Sequence, residues 1–290
     1  MEEIIYLNGC LMPLSQARLS PFDYGFLYGY GLFETMRAYS GHVFRLEAHL
    51  ARLRRAAQAL DMSLDGIPDL SKALYDTLEA NRLSNARIRL TLSGGPGEPV
   101  PDITTCREPT VLITARDYVH HSNSVYRQGF KAIVSSTRRN THSRVSGLKS
   151  LNNLDNLLAR REAKLAGADE AILLNDQGFI AEGSSTNIFL VSGNILHTPG
   201  EDCGILPGVT RAVVLELARS ARIKAIEKKV ALEEFAAADE AFCTSSLIEI
   251  MPITRIGEEA IGPGVPGTVT EKLTAAYRRL VESVIHGAVR

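Results

Sequence analysis

The stretch Val145-Ser146-Gly147-Leu148-Lys149-Ser150-Leu151-Asn152-Asn153-Leu154 places one lysine between apolar residues, directly before a helix predicted over residues 150–166. Most lysines in proteins are solvated surface groups. Here the apolar neighbours would partly remove water from the amine, which favours its neutral and nucleophilic form. A neutral amine can form an imine with an aldehyde. Lys149 is therefore the leading candidate for a catalytic residue.

A second candidate segment is Glu182-Gly183-Ser184-Ser185-Thr186-Asn187-Ile188-Phe189. It places a carboxylate before small residues and a predicted strand, a pattern that a surface turn explains as well as a binding site does. A carboxylate that faces a pyridine nitrogen would keep this nitrogen protonated and make the ring an electron sink. Glu182 is therefore a candidate partner for a cofactor ring.

A third segment, Gly204-Ile205-Leu206-Pro207-Gly208-Val209-Thr210-Arg211, is a glycine-bracketed turn before a helix predicted over residues 209–221. The backbone N–H groups of Val209 and Thr210 and the helix dipole would converge on an anion such as a phosphate. A plain helix cap explains the threonine equally well. A phosphate site needs a basic partner, and Arg52 could supply a bidentate one.

Composition favours a globular protein that acts on small molecules. Of the 290 residues, 45% are hydrophobic and 22% charged, which is enough to build two medium domains. The net charge of -1 gives no support to a nucleic-acid or anionic-membrane partner. The four cysteines contain no CxxC pair, so we expect neither a metal site nor a disulfide framework.

The sequence also bears on location. No stretch approaches the roughly 18 apolar residues that are needed to cross a bilayer. The start Met1–Gly9 is acidic where a signal peptide would be basic. We therefore expect a cytoplasmic protein without a membrane partner.

Hydrophobic periodicity indicates both element types in each half of the chain. Apolar residues at helical spacing predict a helix over residues 46–60, and alternation over Ala86–Leu92 predicts a half-buried strand. The polar stretch Arg116–Ser124 is the best candidate for a linker. These patterns predict an α+β (mixed α/β) protein with a smaller domain over 1–117, a linker over 118–124 and a larger domain over 125–290.

Seven segments occur in the order typical of the class IV aminotransferase family, and together they span nearly the whole chain. The chain therefore resembles this family, in which branched-chain and D-amino acid aminotransferases and 4-amino-4-deoxychorismate lyase share one fold. The segments are the three described above together with Tyr6-Leu7-Asn8-Gly9, Gly25 to Arg37, His49-Leu50-Ala51-Arg52-Leu53, and Ala238 to Pro252.

The resemblance implies a fold-type IV (D-amino acid aminotransferase-like) enzyme that uses pyridoxal 5'-phosphate. In this family a smaller N-terminal and a larger C-terminal domain hold the cofactor between them, normally in a homodimer or a higher homo-oligomer whose partner completes the pocket. By the resemblance, Lys149 holds the cofactor as a Schiff base and shuttles the proton, and Glu182 pairs with the pyridine nitrogen. The phosphate would be held by Arg52, Val209, Thr210 and Ser246.

The resemblance also implies a substrate site. Its residues would be Tyr28, Phe33, Thr35, Arg37, Arg89, Asn153, Ser245 and Leu247. Thr35 stands where branched-chain enzymes commonly have a glycine, so this pocket would be more polar. Arg89 lies on one face of a predicted strand and could bind a carboxylate.

Three activities of the family compete. The segment after Lys149 and the strand after Glu182 favour transamination between aliphatic, branched-chain L-amino acids and a 2-keto acid such as 2-oxoglutarate. The alternative is 4-amino-4-deoxychorismate lyase, which releases pyruvate and 4-aminobenzoate, because Ala86–Leu90 and Thr244–Ile250 resemble some bacterial lyases. D-amino acid transamination ranks third, since Ser93–Gly95 lacks the arginine that grips a D-substrate. A non-catalytic binding protein of this fold would be expected to have lost the lysine or the carboxylate, and both are present.

Overall fold

A computed structural model describes residues 2–287 of the chain. These residues form two compact units. The first contains the chain up to Val119, the segment Leu148–Asn152 and the last turn of the C-terminal helix from Val284, and the second contains His120–Gly147 and Asn153–Ser283. That 1–117 and 125–290 are independently folding domains, joined by a linker at 118–124, stays a prediction.

The first unit is built on a six-stranded antiparallel sheet, in the order β2-β1-β6-β5-β3-β4. Its strands are β1 (Ile4–Leu7), β2 (Cys10–Pro13), β3 (Gly31–Tyr39), β4 (His42–Val43), β5 (Ala86–Ser93) and β6 (Thr110–Asp117). Its helices are α1 (Tyr24–Tyr28), α2 (Leu46–Ala59) and α3 (Leu70–Ala80).

Alternation along β3 separates the core face of this sheet from its other face. Leu32 and Met36 are fully buried, in one core cluster with Leu50 of α2. The apolar residues of α2 recur at helical spacing, so one stripe of the helix packs on the sheet. The side chains at positions 33, 35 and 37 consequently point to the opposite face.

The second unit is built on a nine-stranded mixed sheet, in the order β12-β11-β10-β13-β14-β7-β8-β9, with β15 paired to β14. Its strands are β7 (Phe130–Arg139), β8 (Glu170–Asn175), β9 (Ile180–Gly183), β10 (Asn187–Ser192), β11 (Ile195–Pro199), β12 (Ala225–Lys228), β13 (Glu240–Ser245), β14 (Glu249–Ile256) and β15 (Glu259–Ala260). Its helices are α4 (Asn123–Gln128), α5 (Leu154–Leu165), α6 (Val209–Ser220), α7 (Leu232–Ala236) and α8 (Thr268–Gly287). β8 is buried along its whole length and pairs in parallel with β7, as its largely apolar sequence favours.

The lysine segment is extended, and the predicted helical start at Ser150 is wrong. Helix α5 begins at Leu154, four residues later. Ser150 instead forms an antiparallel bridge with Leu32 of β3. At this end of β3 the neighbouring strand β4 pairs only with Ala38 and Tyr39, so backbone groups at residues 31–33 can bond to another segment. Strand pairing here outweighs the helical pattern that follows Lys149.

The longer elements confirm the periodicity. The helices predicted over 46–60 and 209–221 are observed as Leu46–Ala59 and Val209–Ser220, and the predicted strand Ala86–Leu92 is one residue longer. No sequence pattern predicted α1, α4 and α7, which have five, six and five residues. Helices this short span fewer than two turns, so no period can be read from them. The mixed α/β fold class is confirmed.

Candidate active site

Backbone pairing with β3 fixes the direction of Lys149. The Phe33 amide donates to the Lys149 carbonyl at 2.8 Å, and the Leu151 amide donates to the Gly31 carbonyl at 2.8 Å. These two bonds flank the bridge between Leu32 and Ser150. Directly opposed residues of an antiparallel pair share a face. Lys149 therefore points to the same face of the sheet as Phe33.

The ring of Phe33 contacts two cationic groups on this face. Lys149 Nζ lies 4.5 Å from the ring centroid, and the guanidinium carbon of Arg89 lies 4.0 Å from it. Burial lowers the pKa of Arg89, and the neighbouring Arg87 lowers it further. The face thus combines an amine, an apolar ring and a partly desolvated cation, which are the groups needed to bind an amino acid with an aliphatic side chain and a carboxylate.

Two more of the predicted substrate residues lie on this face. The strand register places Thr35 opposite Arg89. Arg37 is buried, and its guanidinium carbon lies 4.2 Å from the ring centroid of Tyr39 and 4.8 Å from that of Tyr118. The structure therefore brings together Phe33, Thr35, Arg37, Arg89 and Lys149.

The core face of the same sheet holds Arg52. Arg52 Nε donates to Glu34 Oε1 at 2.8 Å, and its Nη2 donates to Glu34 Oε2 at 2.6 Å. The Nδ1 atom of His49 lies 2.8 Å from Glu34 Oε2. All three side chains are buried. The bidentate pair fixes the plane of the guanidinium, as a site that recognises phosphate geometry requires.

The electrostatics of this cluster follow from the arginine. Burial alone raises the pKa of Glu34, but hydrogen bonds from Arg52 and His49 and their charges outweigh it and hold the pKa at about 2. Burial lowers the pKa of His49 more than Glu34 raises it. At neutral pH a neutral His49 therefore donates its Nδ1–H to an ionised Glu34, and Arg52 carries the opposite charge.

In the second unit, Glu182 lies buried in β9 and is held by two donors. Arg139 Nε donates to Glu182 Oε1 at 3.0 Å, and the Leu206 amide donates to Oε2 at 2.9 Å. Arg139 also donates to Asn156 Oδ1 at 3.2 Å, and the Asn156 amide donates to the Ser184 carbonyl at 2.9 Å. These contacts fix the carboxylate in one orientation.

The segment before α6 is tied to the same region. Asn187 Nδ2 donates to the Leu206 carbonyl at 2.8 Å. A Cβ atom at Gly208 would lie 2.0 Å from Asn187 Oδ1, so only glycine fits beside this amide. Within the described chain, no side chain caps α6 at Gly208, and its first residues, Val209 and Thr210, are buried. The first-turn N–H groups and the helix dipole are suited to an anion.

The predicted residues Ser245, Ser246 and Leu247 belong to a hairpin between β13 and β14. Thr244, the residue before them, pairs with Asn187 across the sheet. The chain reverses over residues 246–248, and these side chains are half-buried. The hairpin turn therefore follows the strand position that adjoins Asn187.

The last two predicted residues lie at helix ends. Asn153 is the N-cap residue of α5. Tyr28 ends α1 in the first unit, with its ring packed edge-on against Tyr24 at a centroid distance of 4.8 Å. Tyr28 is 44% exposed, which leaves part of its ring accessible to a ligand or a partner.

Three residues with clear roles in these clusters were missed from the sequence: Glu34, His49 and Arg139. A signal existed for Glu34, because strand alternation places it between Leu32 and Met36 on the buried face, where a carboxylate needs partners. No local pattern marks Arg139, which lies 43 residues from Glu182.

Among residues 2–287, no group of three or more His, Cys, Asp and Glu side chains could hold a metal ion. Over the same residues, no helix has both the length and the apolar character needed to cross a membrane. The donor set fits pyridoxal phosphate instead. The first unit offers an amine for the aldehyde, and the second offers a fixed carboxylate for the ring nitrogen and an open helix N-terminus for the phosphate.

Comparison with known proteins agrees with this fit. The family model for amino-transferase class IV matches residues 31–256. The chain is 37% identical over 286 residues to the aminodeoxychorismate lyase of Bacillus subtilis, covering 98% of this chain and 96% of that protein. It is 33% identical over 290 residues to the branched-chain-amino-acid aminotransferase of Pseudomonas aeruginosa, covering 97% and 93%.

A solved structure gives the same result for the fold. The chain is similar to a branched-chain amino acid aminotransferase of T.th. with pyridoxamine 5'-phosphate, with a TM-score of 0.90 and 27% identity. The match covers 99% of this chain and 95% of the other.

Proposed function

Because this chain belongs to the class IV aminotransferase family and is a fold-type IV aminotransferase whose cofactor is pyridoxal 5'-phosphate, we propose that it transfers the amino group of aliphatic, branched-chain L-amino acids to a 2-keto acid such as 2-oxoglutarate. The observation that carries this proposal is the face formed by Phe33, Arg89 and Lys149. It offers an apolar ring for an aliphatic side chain and a cation for a carboxylate, beside a nucleophilic amine.

Each residue has a stated role in this proposal. Bound pyridoxal phosphate supplies an electron sink that stabilises negative charge at the substrate Cα. Lys149 holds the cofactor, and its Nζ takes the proton from Cα and returns it. Glu182 keeps the ring nitrogen protonated, and Arg139 positions Glu182.

The phosphate and substrate sites use the remaining residues. The N–H groups of Val209 and Thr210 bind the phosphate at the α6 N-terminus, together with Ser246 and the guanidinium of Arg52, whose plane Glu34 fixes. Arg89 binds a substrate carboxylate. Phe33 and Leu247 contact the aliphatic side chain, and Tyr28, Thr35, Arg37, Asn153 and Ser245 complete the substrate site.

A second candidate reaction is that of 4-amino-4-deoxychorismate lyase. The 37% identity to the Bacillus subtilis lyase favours it, as does Thr35. The hydroxyl of Thr35 lies on the face that carries Arg89 and Lys149, where it could bind a polar substrate. The two reactions use the same cofactor and differ in their products.

One experiment separates these activities. The visible absorption band of the bound cofactor is followed while L-leucine, D-alanine or 4-amino-4-deoxychorismate is added, and products are identified. We expect loss of the band with L-leucine and its return with 2-oxoglutarate. Release of pyruvate and 4-aminobenzoate without an amino acceptor would establish the lyase instead, and a response to D-alanine alone would establish the D-specific activity.

We also propose a homodimer and a cytoplasmic location. The first unit exposes the apolar side chains of Phe22 (52%) and Phe26 (79%) near Tyr28, a patch that a second copy of the chain would cover. The cysteines at positions 10, 106, 203 and 243 are free, as in a reducing compartment. Light scattering of the purified protein tests the dimer: a monomeric mass would refute it.

A further inference from the structure

The hairpin that carries Ser246 contains an unusual backbone position. Strands β13 and β14 pair up to Ser245 and Glu249, which leaves a loop of three residues. Such loops commonly end in a residue of left-handed conformation, and glycine is favoured there because it has no Cβ. Here the position is occupied by Glu249, with a φ of 59°.

Glu249 differs in burial from the other residues of this conformation. Eight non-glycine residues among residues 2–287 have a positive φ, and Glu249 alone of them is buried. The others are Asn8, Ser40, Arg45, Asp61, Arg82, Asn194 and Arg222. A buried carboxylate on strained backbone persists only where surrounding contacts hold it, and such positions concentrate at functional sites.

Cationic groups hold the Glu249 carboxylate. Its Oε1 lies 3.2 Å from Nε2 of His120, and its Oε2 lies 3.9 Å from Nε of Arg278 in α8. The hydroxyl of Tyr126 in α4 also lies 3.2 Å from His120 Nε2. The same hydroxyl donates to the Ile248 carbonyl at 2.8 Å. Glu249, His120 and Tyr126 thus form a chain of contacts that returns to the hairpin loop at Ile248.

We propose that Glu249 is a positioning residue for the cofactor phosphate: through His120 and Tyr126 it holds the loop of residues 246–248 in the conformation that directs Ser246 at the phosphate. This inference rests on the proposed role of Ser246. The carboxylate offsets the backbone strain, and Tyr126 anchors the other end of the loop. Loss of either group would loosen a phosphate ligand without touching the groups that bind the aldehyde or the pyridine ring.

The test compares pyridoxal phosphate with pyridoxal, which lacks the phosphate. Cofactor-free protein is titrated with each compound, and affinity is measured from the visible absorption band. Glu249→Gln keeps the shape of the side chain but removes its charge, and Glu249→Gly also relieves the backbone strain. For both variants we expect the Kd of pyridoxal phosphate to rise about tenfold, the loss of one charge-assisted hydrogen bond, and the Kd of pyridoxal to change less than about twofold.

Two further variants keep the result interpretable. Tyr126→Phe removes only the hydroxyl and should give the same phosphate-specific loss, even where a Glu249 variant folds poorly by circular dichroism. Glu240→Gln is the matched control, because Glu240 lies at the other end of β13 and accepts hydrogen bonds from the Val269 and Thr270 amides. We expect it to leave both affinities unchanged.

The outcomes separate this inference from the proposed function. Equal losses of affinity for both compounds, or no loss in Glu249→Gln and Tyr126→Phe, would overturn the positioning role. Full affinity in Glu249→Gly would show that backbone conformation suffices without the carboxylate, and would overturn it too. If the unaltered protein bound pyridoxal as tightly as pyridoxal phosphate, the proposed phosphate site itself would fail.

Discussion

Replacing Glu34 by glutamine tests the buried cluster that fixes Arg52. The pKa of Glu34 is held at about 2, against 4.5 for the ordinary carboxyl. The difference of 2.5 units corresponds to about 3 kcal/mol of folding free energy at neutral pH. Breaking a buried pair by removing one partner costs about 3–5 kcal/mol, because the other charge stays buried. Both routes predict that Glu34→Gln lowers the free energy of unfolding at pH 7 by about 3 kcal/mol.

The pH dependence of this loss has a definite sign. The pKa of Glu34 is lower in the folded than in the unfolded protein, so its contribution is fully present above about pH 4.5 and is lost as the pH falls towards 2. About 2 of the 3 kcal/mol should be gone by pH 3. The two proteins should therefore differ most at pH 7 and become alike in acid.

Urea unfolding of the cofactor-free proteins measures this difference at pH 7, 5, 4 and 3. The chain has no tryptophan, so far-ultraviolet circular dichroism is the suitable signal. Glu3→Gln serves as the control, because Glu3 pairs with the exposed Arg116, and it should change stability by less than about 1 kcal/mol. A loss below about 1 kcal/mol at pH 7, or a loss of equal size at pH 3, would refute the reasoning about Glu34.

Three further predictions concern the proposed site. Arg139→Met should weaken cofactor binding about tenfold in an absorbance titration, since the buried Glu182 loses a charged donor, whereas Arg138→Met at the exposed neighbouring position should not; equal affinities would contradict the role of Arg139. Arg89→Leu should raise the KM for 2-oxoglutarate about tenfold or more, and the exposed Arg54 offers a control; an unchanged KM would mean that another group binds the carboxylate. Lys149→Ala should remove the visible band of bound cofactor and measurable transamination, and a retained band would place the cofactor on another lysine.

Short-range patterns accounted for the longer elements and for the chemistry of single residues. Apolar spacing predicted α2 and α6, and alternation predicted β5 and its two faces, because each pattern depends on a period within one element. The same reasoning could have placed Glu34 on the buried face of β3. The sequence also singled out Lys149, Glu182 and the N-terminus of α6 as chemical groups, through residue types and family order.

Only the tertiary structure decided how these groups are held. Lys149 is extended and not helical because its backbone pairs with β3, more than a hundred residues earlier in the chain. Arg139 meets Glu182 because β8 pairs with both β7 and β9. Glu249 takes a left-handed backbone conformation because partners that include Arg278 of α8 hold its carboxylate. Contacts such as these join residues distant in sequence, and no local period records them, whereas the identity of the reactive groups is written in the residues themselves.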